Sequence, residues 1–163
     1  MNLHSIPLKL CLPAMLVPLL LFSSCASNDL AQTKKSLKAI THVTDKEYDQ
    51  AIALYTELIE EGYFLEAMYD QRGSAYEQIG EFQKALQDYT KAIEHGGHHH
   101  SRAMLYQKLG DYEKAMASSF EALKSIRRTG DREDEGWLLQ GIGGAYTELG
   151  DFPRALQYHE EAL

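Results

Sequence analysis

The stretch from Glu66 to His95 constrains the fold most, because it contains two helical patterns separated by one glycine, Gly80. Small and aromatic residues recur in it at spacings of three and four, which places them on one face of each helix. They are Tyr69, Gly73, Tyr76, Phe82, Ala85, Tyr89 and Ala92. Gly80 stands where the first helix should end, since glycine adopts the left-handed conformation at little cost. The pattern predicts two helices joined by a tight turn, whose apolar faces pack on each other and on the next element.

The order and offsets of these residues resemble the tetratricopeptide repeat (TPR) family, whose period is about 34 residues. Seven consensus offsets agree within one repeat length, whereas Gly97 stands where the family has a proline. The resemblance implies an all-α fold, a right-handed α-solenoid of antiparallel helix pairs. It also implies that protein ligands bind in the concave groove of the solenoid.

The same offsets recur on both sides of this unit, although the first repeat is clear only in its second helix. The matching residues are Tyr48, Ala51, Tyr55 and Leu58 in the first repeat, Tyr106, Gly110, Tyr112, Ala115 and Ala122 in the third, and Gly143, Tyr146, Gly150, Phe152, Ala155 and Ala162 in the fourth. About 3.5 repeats are therefore visible within 30–163, at about 32–65, 66–97, 98–130 and 131–163. The last repeat is incomplete, because its pattern stops inside a helix, and this favours a chain that continues.

The repeats differ in length. Gly80 and Gly110 are only 30 residues apart, and the shortfall lies within His95–Arg102, which we expect to be the tightest junction of the solenoid. Gly110 and Gly150 are 40 residues apart, which predicts longer helices, the first of them from Asp111 to residue 127 or 128.

Two local patterns give more detailed predictions. Thr44 and Glu47 have the spacing of a capping box, which predicts that a helix covering 45–61 begins there. Ser119 stands where the third repeat should have an aromatic residue, and we expect the neighbouring Phe120 to turn inward in its place.

The first 24 residues have the pattern of a cleaved signal peptide. A lysine precedes Leu10–Phe22, a charge-free run of thirteen residues that is too short for a transmembrane helix of about 20 residues. The Ser-Ser-Cys triplet that follows resembles a bacterial lipobox. This resemblance implies that Cys25 is lipidated and begins the mature chain, with 25–29 as a polar tether, and Ala26 points to the outer membrane of the cell envelope. The alternative is an ordinary signal peptide cut near Ser24 or Ala26, with Cys25 as an incidental thiol.

The net charge restricts the possible partners. The chain has 24 acidic and 16 basic residues, giving a formal net charge of −8. This balance argues against nucleic acid as a ligand, because phosphates favour basic surfaces. It also argues against adsorption to anionic lipid, so we expect contact with the membrane only through the N-terminal lipid. A basic or neutral protein or peptide is the expected partner.

A histidine-rich tract is the strongest candidate for metal chemistry. His95, His98, His99 and His100 flank two glycines, and imidazoles bind Zn, Ni or Cu. No Cys, Asp or Glu within the tract completes a site, so a solvated connection rich in histidine is the simpler interpretation. We assign no metal site and no cofactor. The sequence also lacks a nucleophile, base and acid at spacings that fix their mutual geometry, so we predict a protein that is not an enzyme.

The resemblance implies which residues line the concave groove. They are Asp70, Gln71, Ser74, Glu77 and Gln78 in the second repeat, and Trp137, Gln140, Gly141, Gly144, Thr147 and Glu148 in the fourth. Trp137 is a candidate anchor for a peptide side chain, and a core contact with the preceding helix is the alternative. The two glycines would leave the groove floor bare for a ligand backbone, although a poorly specified helix is the alternative explanation for them.

These observations predict a membrane-anchored TPR lipoprotein that acts as a protein-interaction scaffold or assembly factor. Two alternatives remain at this point: metal binding by the histidine tract, and an N-terminal anchoring module of a longer sensor or enzyme.

Overall fold

The computed structural model describes most of the predicted repeat region. The described backbone comprises residues 16–97, 99–129 and 132–163, and the described side chains are those of 29–97, 99–127 and 135–163. Within these ranges the chain forms eight helices: α1 Leu16–Thr44, α2 Tyr48–Glu60, α3 Leu65–Gln78, α4 Phe82–Glu94, α5 His100–Lys108, α6 Tyr112–Thr129, α7 Arg132–Glu148 and α8 Phe152–Glu161.

The helices form four consecutive pairs, α1–α2, α3–α4, α5–α6 and α7–α8, and contacts join neighbours along the chain. This confirms the predicted all-α solenoid of helix pairs. The long helix predicted from Asp111 is α6, which ends at Thr129. In the second pair, Gly73 of the first helix lies against Tyr89 and Ala85 of the second.

The turn between the two helices of a pair is the same in all four pairs. Gly80, Gly110 and Gly150 have φ of 79°, 76° and 78°, which confirms that these glycines end the first helices in the left-handed conformation. Lys46 takes the same place in the first pair with φ of 61°, a conformation that costs a residue with a Cβ about 1 kcal/mol. The amide of the next residue, Glu81 in the second pair, donates to a carbonyl five residues back at 2.9 Å.

The buried core runs along the interior of the solenoid in three clusters. Most consensus residues of the second helices are buried as predicted, namely Ala51, Tyr55, Leu58, Ala85, Tyr89, Ala92, Ala115, Ala122 and Ala155. The others are only partly buried (Tyr48, Phe82, Tyr112 and Ala162) or exposed (Phe152). Gly73 permits a close approach of the two helices, because a Cβ on it would lie 2.8 Å from Cε1 of Tyr89. Glycine at this point allows a full tyrosine on the facing helix.

The predicted capping box is wrong. Thr44 is the last residue of α1, and its hydroxyl donates to the carbonyl of Ile40 at 3.0 Å instead of capping the next helix. Glu47 precedes α2 without a side-chain cap and pairs with Nδ1 of His42 at 2.6 Å. A hydrogen bond to the residue four positions back was available to Thr44 because α1 extends as far as this residue.

Residues 25–29, which the sequence predicts to be a polar tether, are part of α1, which begins at Leu16 and continues without a break to Thr44. Residues 1–15 of the predicted signal peptide and the side chain of Cys25 lie outside the described part of the chain, so cleavage and lipidation stay predictions. None of the helices that the structure describes combines the length and apolar character needed to cross a bilayer.

The shortfall in the third repeat lies within His95–Arg102, as predicted, and it shortens the first helix of that repeat. α5 has nine residues, against fourteen in α3 and seventeen in α7. The expectation of a tight junction is wrong, because α4 and α5 make far fewer contacts than any other consecutive pair in the described ranges. The missing residues are those that would have packed against α4.

Phe120 also differs from the prediction. Its side chain lies partly exposed on α6 and makes an edge contact with the ring of Tyr158 in α8, with centroids 5.9 Å apart. Ser119 is buried at the position of the missing aromatic, and Ala103 rather than glycine faces that position from α5. Compared with the second pair, α5 has alanine in place of glycine and α6 has serine in place of tyrosine, so the two changes in side-chain volume offset each other.

Candidate functional site

Polar side chains of the predicted groove connect the first helices of successive pairs. The hydroxyl of Ser101 in α5 donates to the Asp70 carboxylate at 2.7 Å. Lys108 at the other end of α5 pairs with Glu77 at 2.9 Å. These two contacts fix α5 against α3 and use both acidic groups that the sequence assigned to this part of the groove.

Glu77 has a second partner, the buried hydroxyl of Tyr89, which donates to Oε2 at 3.0 Å. Burial, and after it the neighbouring Glu77 carboxylate, raises the pKa of Tyr89 well above its usual range. Glu77 therefore holds α3, α4 and α5 together. The charge reversal that would most simply test an acidic groove, at Asp70 and Glu77, would also disturb this junction.

The other groove candidates of α3 and α7 divide into exposed and partly covered side chains. Gln71, Gln78, Trp137, Gln140, Thr147 and Glu148 are exposed, while Ser74 is partly buried. Gly141 accepts a hydrogen bond on its carbonyl from Nε2 of Gln107 at 2.6 Å, which joins α7 to α5. Above Gly144 there is open space, since a Cβ there would meet no atom within 4 Å.

A cleft of about 570 Å³ lies between α3, α4, α5, α6 and α7 and is hereafter called the α5 cleft. It brings together Asp70 and Trp137, which the sequence had placed in two separate parts of the groove. Its walls also include Glu66, Ala92, Ser101 and Ala122. A volume of this size lies in the range of about 300–1,000 Å³ that is typical of ligand sites.

Sequence reasoning missed the contribution of Glu66, Ala92 and Ala122 to this site. The available signal was the 30-residue spacing between Gly80 and Gly110, which removes part of one helix and opens the space beside it. The spacing by itself does not show which neighbouring side chains line that space.

The described histidines of the tract do not all lie together. His95 stacks on the ring of Tyr69 with centroids 5.7 Å apart, and His99 lies 3.6 Å from the carboxylate of Glu121. His99 and His100 both line the α5 cleft, and the side chain of residue 98 lies outside the described part of the chain. Among the described side chains, no three of His, Cys, Asp and Glu come together in a group that would hold a metal ion.

Comparisons with known proteins agree with this geometry. One tetratricopeptide repeat model matches residues 97–163 and a second matches residues 66–94. The chain belongs to the tetratricopeptide repeat family. No curated protein matches the sequence significantly.

Two solved structures have a similar fold. The crystal structure of BtubC (BKLC) from P. vanneervenii is 22% identical, with a TM-score of 0.69, over 82% of this chain and 62% of that one. The crystal structure of MamA is 20% identical, with a TM-score of 0.65, over 86% of this chain and 81% of that one. The chain thus spans about 62% of the length of BtubC. At these identities the similarity establishes the fold alone.

Proposed function

We propose that this TPR protein is a non-enzymatic interaction scaffold or assembly factor that binds a segment of another protein on the side formed by α3, α5 and α7. The observation that carries the proposal is the α5 cleft, whose rim contains both Asp70 and Trp137. Exposed glutamines continue this surface along α3 and α7 at Gln71 and Gln140. A solenoid whose repeats contact only their neighbours offers such an extended surface to a partner.

The chemistry of the groove favours a partner segment with basic or neutral side chains. Glu66 is exposed beside the α5 cleft and pairs with no cation among the described residues. Together with Asp70 it gives this rim a negative charge, which complements a basic segment.

Site-specific crosslinking tests the proposal. A photo-crosslinking amino acid at Gln71 and at Gln140 should capture the same partner from cells that produce the full chain. Gln87 is the matched control, because it is an exposed glutamine on α4, the second helix of the same pair as α3. Equal capture at Gln87, or different partners at the two groove positions, would contradict the proposal.

We further propose that the protein is exported by residues 1–24 and anchored by a lipid on Cys25, in the outer membrane of a bacterial envelope. The support is the charge-free run Leu10–Phe22 followed by two serines and the cysteine. The substitution Cys25→Ser should release the protein from the membrane fraction and remove the mass of the lipid from its N-terminal peptide. If Cys25 in the membrane fraction carries no lipid, the anchor proposal is contradicted, whereas the proposed interaction function still stands.

A further inference from the structure

The α5 cleft occupies a place that an apolar side chain fills in two other repeats. Met68 in α3 and Leu138 in α7 each lie twelve residues before the glycine that ends their helix, and both are buried. Met68 packs against the preceding pair, in the cluster that contains Leu58. In the third repeat the residue twelve positions before Gly110 is a histidine, and α5 begins two residues later at His100, so this helix contributes no apolar residue at that position.

The opposite wall of the cleft is also reduced. The second helices carry Leu58, Ala92, Ala122 and Ala162 twelve residues after the turn. Leu58 is fully buried against Met68, whereas its counterpart Ala92 is small and faces the α5 cleft. The space at this junction is therefore widened from both sides, by a shorter α5 and by an alanine in place of a leucine.

The surfaces of the cleft define a side chain that would fit it. Ala92, Ala122 and Leu138 give it an apolar floor, and each of them is nearly fully buried. Glu66 and Asp70 give it a negative rim on one side. On the other side stands Trp137, whose side chain is 62% exposed, although tryptophan is usually well covered.

We infer that the α5 cleft receives one bulky apolar residue of a bound protein segment, of the size of leucine or methionine, next to a lysine or arginine. The apolar side chain takes the place that Met68 and Leu138 occupy in the neighbouring repeats. The basic side chain lies against Glu66 and Asp70, and Trp137 covers the apolar residue. This inference rests on the proposed function and adds the identity of the anchoring residues.

Peptide binding can be measured by the fluorescence of Trp137, because it is the only tryptophan in the chain. Its fluorescence should shift to shorter wavelength and saturate as a five-residue peptide with a leucine between two lysines is titrated into the full chain. Burying a leucine side chain instead of an alanine is worth about tenfold in affinity, so the peptide with alanine in place of leucine should bind at least about tenfold more weakly. A peptide with two glutamates in place of the lysines should give no saturable change.

Two variants locate the binding. Ala92→Leu supplies the side chain that Leu58 supplies in the first pair, and it should abolish the response to the leucine peptide. Ala162→Leu makes the same change at the corresponding position of the last pair, which does not line the cleft, and should leave the response intact. Glu66→Gln changes an exposed side chain, leaves the fold intact, and should weaken binding of the lysine-containing peptide several-fold.

The outcomes separate this inference from the function on which it rests. Unchanged binding of the leucine peptide to the Ala92→Leu variant, or no saturable change with any peptide at millimolar concentration, overturns the inference. If Ala92→Leu still captures the partner through the crosslinker at Gln71 as well as the unmodified chain does, the groove function stands without the anchor. If the chain without the Ala92→Leu substitution captures no partner specifically at Gln71 and Gln140, the proposed function itself is overturned.

Discussion

Tyr55 carries a polar group into the core without a compensating contact. Its hydroxyl is buried and has no hydrogen-bond partner among the described residues. Because a buried hydroxyl without a partner costs about 1–3 kcal/mol, Tyr55→Phe should raise the free energy of unfolding by about 1 kcal/mol. Urea unfolding of the two proteins at pH 7 measures this difference.

The same substitution has a predictable pH dependence. Burial raises the pKa of Tyr55 above its ordinary value of 10.0. Above pH 10 the unfolded chain therefore loses this proton before the folded chain does, and the stability of the unmodified protein falls with rising pH. The phenylalanine variant lacks this contribution, so its advantage should grow between pH 9 and pH 11. A constant difference across this range would show that Tyr55 reaches water.

Two glycines at the same place in their repeats should respond differently to alanine. A Cβ on Gly73 would lie 2.8 Å from Tyr89, which is buried and bonded to Glu77, and 3.3 Å from the carbonyl of Ala85. A Cβ on Gly143 would lie 2.7 Å from the imidazole of His159, which is exposed and free to turn away.

We therefore expect Gly73→Ala to destabilise the protein by about 1–3 kcal/mol, as overpacked cores do. Gly143→Ala should stabilise it by up to about 1 kcal/mol, because alanine favours the helix and the histidine moves. Thermal unfolding followed by circular dichroism distinguishes the two. Similar melting temperatures for both variants would contradict the role assigned to Tyr89.

The spacing of residues in the sequence predicted backbone features better than side-chain directions. The glycine turns and the close approach at Gly73 follow from offsets that only a helix pair satisfies. The directions of Thr44 and Phe120 do not follow, because each depends on which neighbour lies within reach. Thr44 bonds within α1, and Phe120 turns to Tyr158, which is 38 residues away in the chain.

At the scale of elements, a buried ion pair joins three helices of the first two pairs. Arg72 in α3 donates from Nε and Nη2 to the two carboxylate oxygens of Asp88 in α4, at 2.7 and 2.8 Å, and from Nη1 to Thr56 in α2 at 2.9 Å. The Asp88 carboxylate raises the pKa of Arg72, so the guanidinium stays charged. Asp88 is itself almost fully buried.

Asp88→Ala should destabilise the protein by about 3 kcal/mol, because it leaves a buried guanidinium without its partner. The next pair offers a matched control. Arg102 donates to Ser118 at 3.2 Å and also reaches the exposed Glu121 at 2.9 Å. Ser118→Ala should therefore cost only about 1 kcal/mol, since Arg102 keeps a charged partner. Equal losses in urea unfolding would mean that Arg72 does not depend on Asp88.

The element that sequence reasoning misjudged is α5. Its shortening was predictable from the spacing of Gly80 and Gly110, but its effect on packing was not. A short connection suggested close packing, whereas the lost residues were the ones that fill the junction in the other repeats. Ala92 and Leu58 lie at the same distance from the turn of their helix pairs in the sequence. Only the structure showed that Ala92 faces the α5 cleft while Leu58 is buried.

For the whole molecule, the junction between α4 and α5 divides the solenoid energetically. Consecutive helices elsewhere in the described ranges pack extensively, while α4 and α5 share mainly Leu105 with Ala85 and Tyr89. Two polar contacts also join α5 to α3: the Ser101–Asp70 hydrogen bond, which is partly buried, and the Lys108–Glu77 pair, which lies near the surface, where such pairs contribute about 0–1 kcal/mol. A repeat protein whose stability depends on interfaces between neighbours should open first at its weakest interface.

Native-state hydrogen exchange in increasing urea should therefore show two units, α2–α4 and α5–α8, with different opening free energies and a boundary between Glu94 and His100. Ala92→Leu adds apolar contact across this boundary and should bring the two opening free energies closer together. Ala162→Leu adds the same side chain outside the boundary and should leave their difference unchanged. A single opening free energy from α2 to α8 in the unmodified chain would mean that the surface pairs on α5 couple the two halves more strongly than their exposure implies.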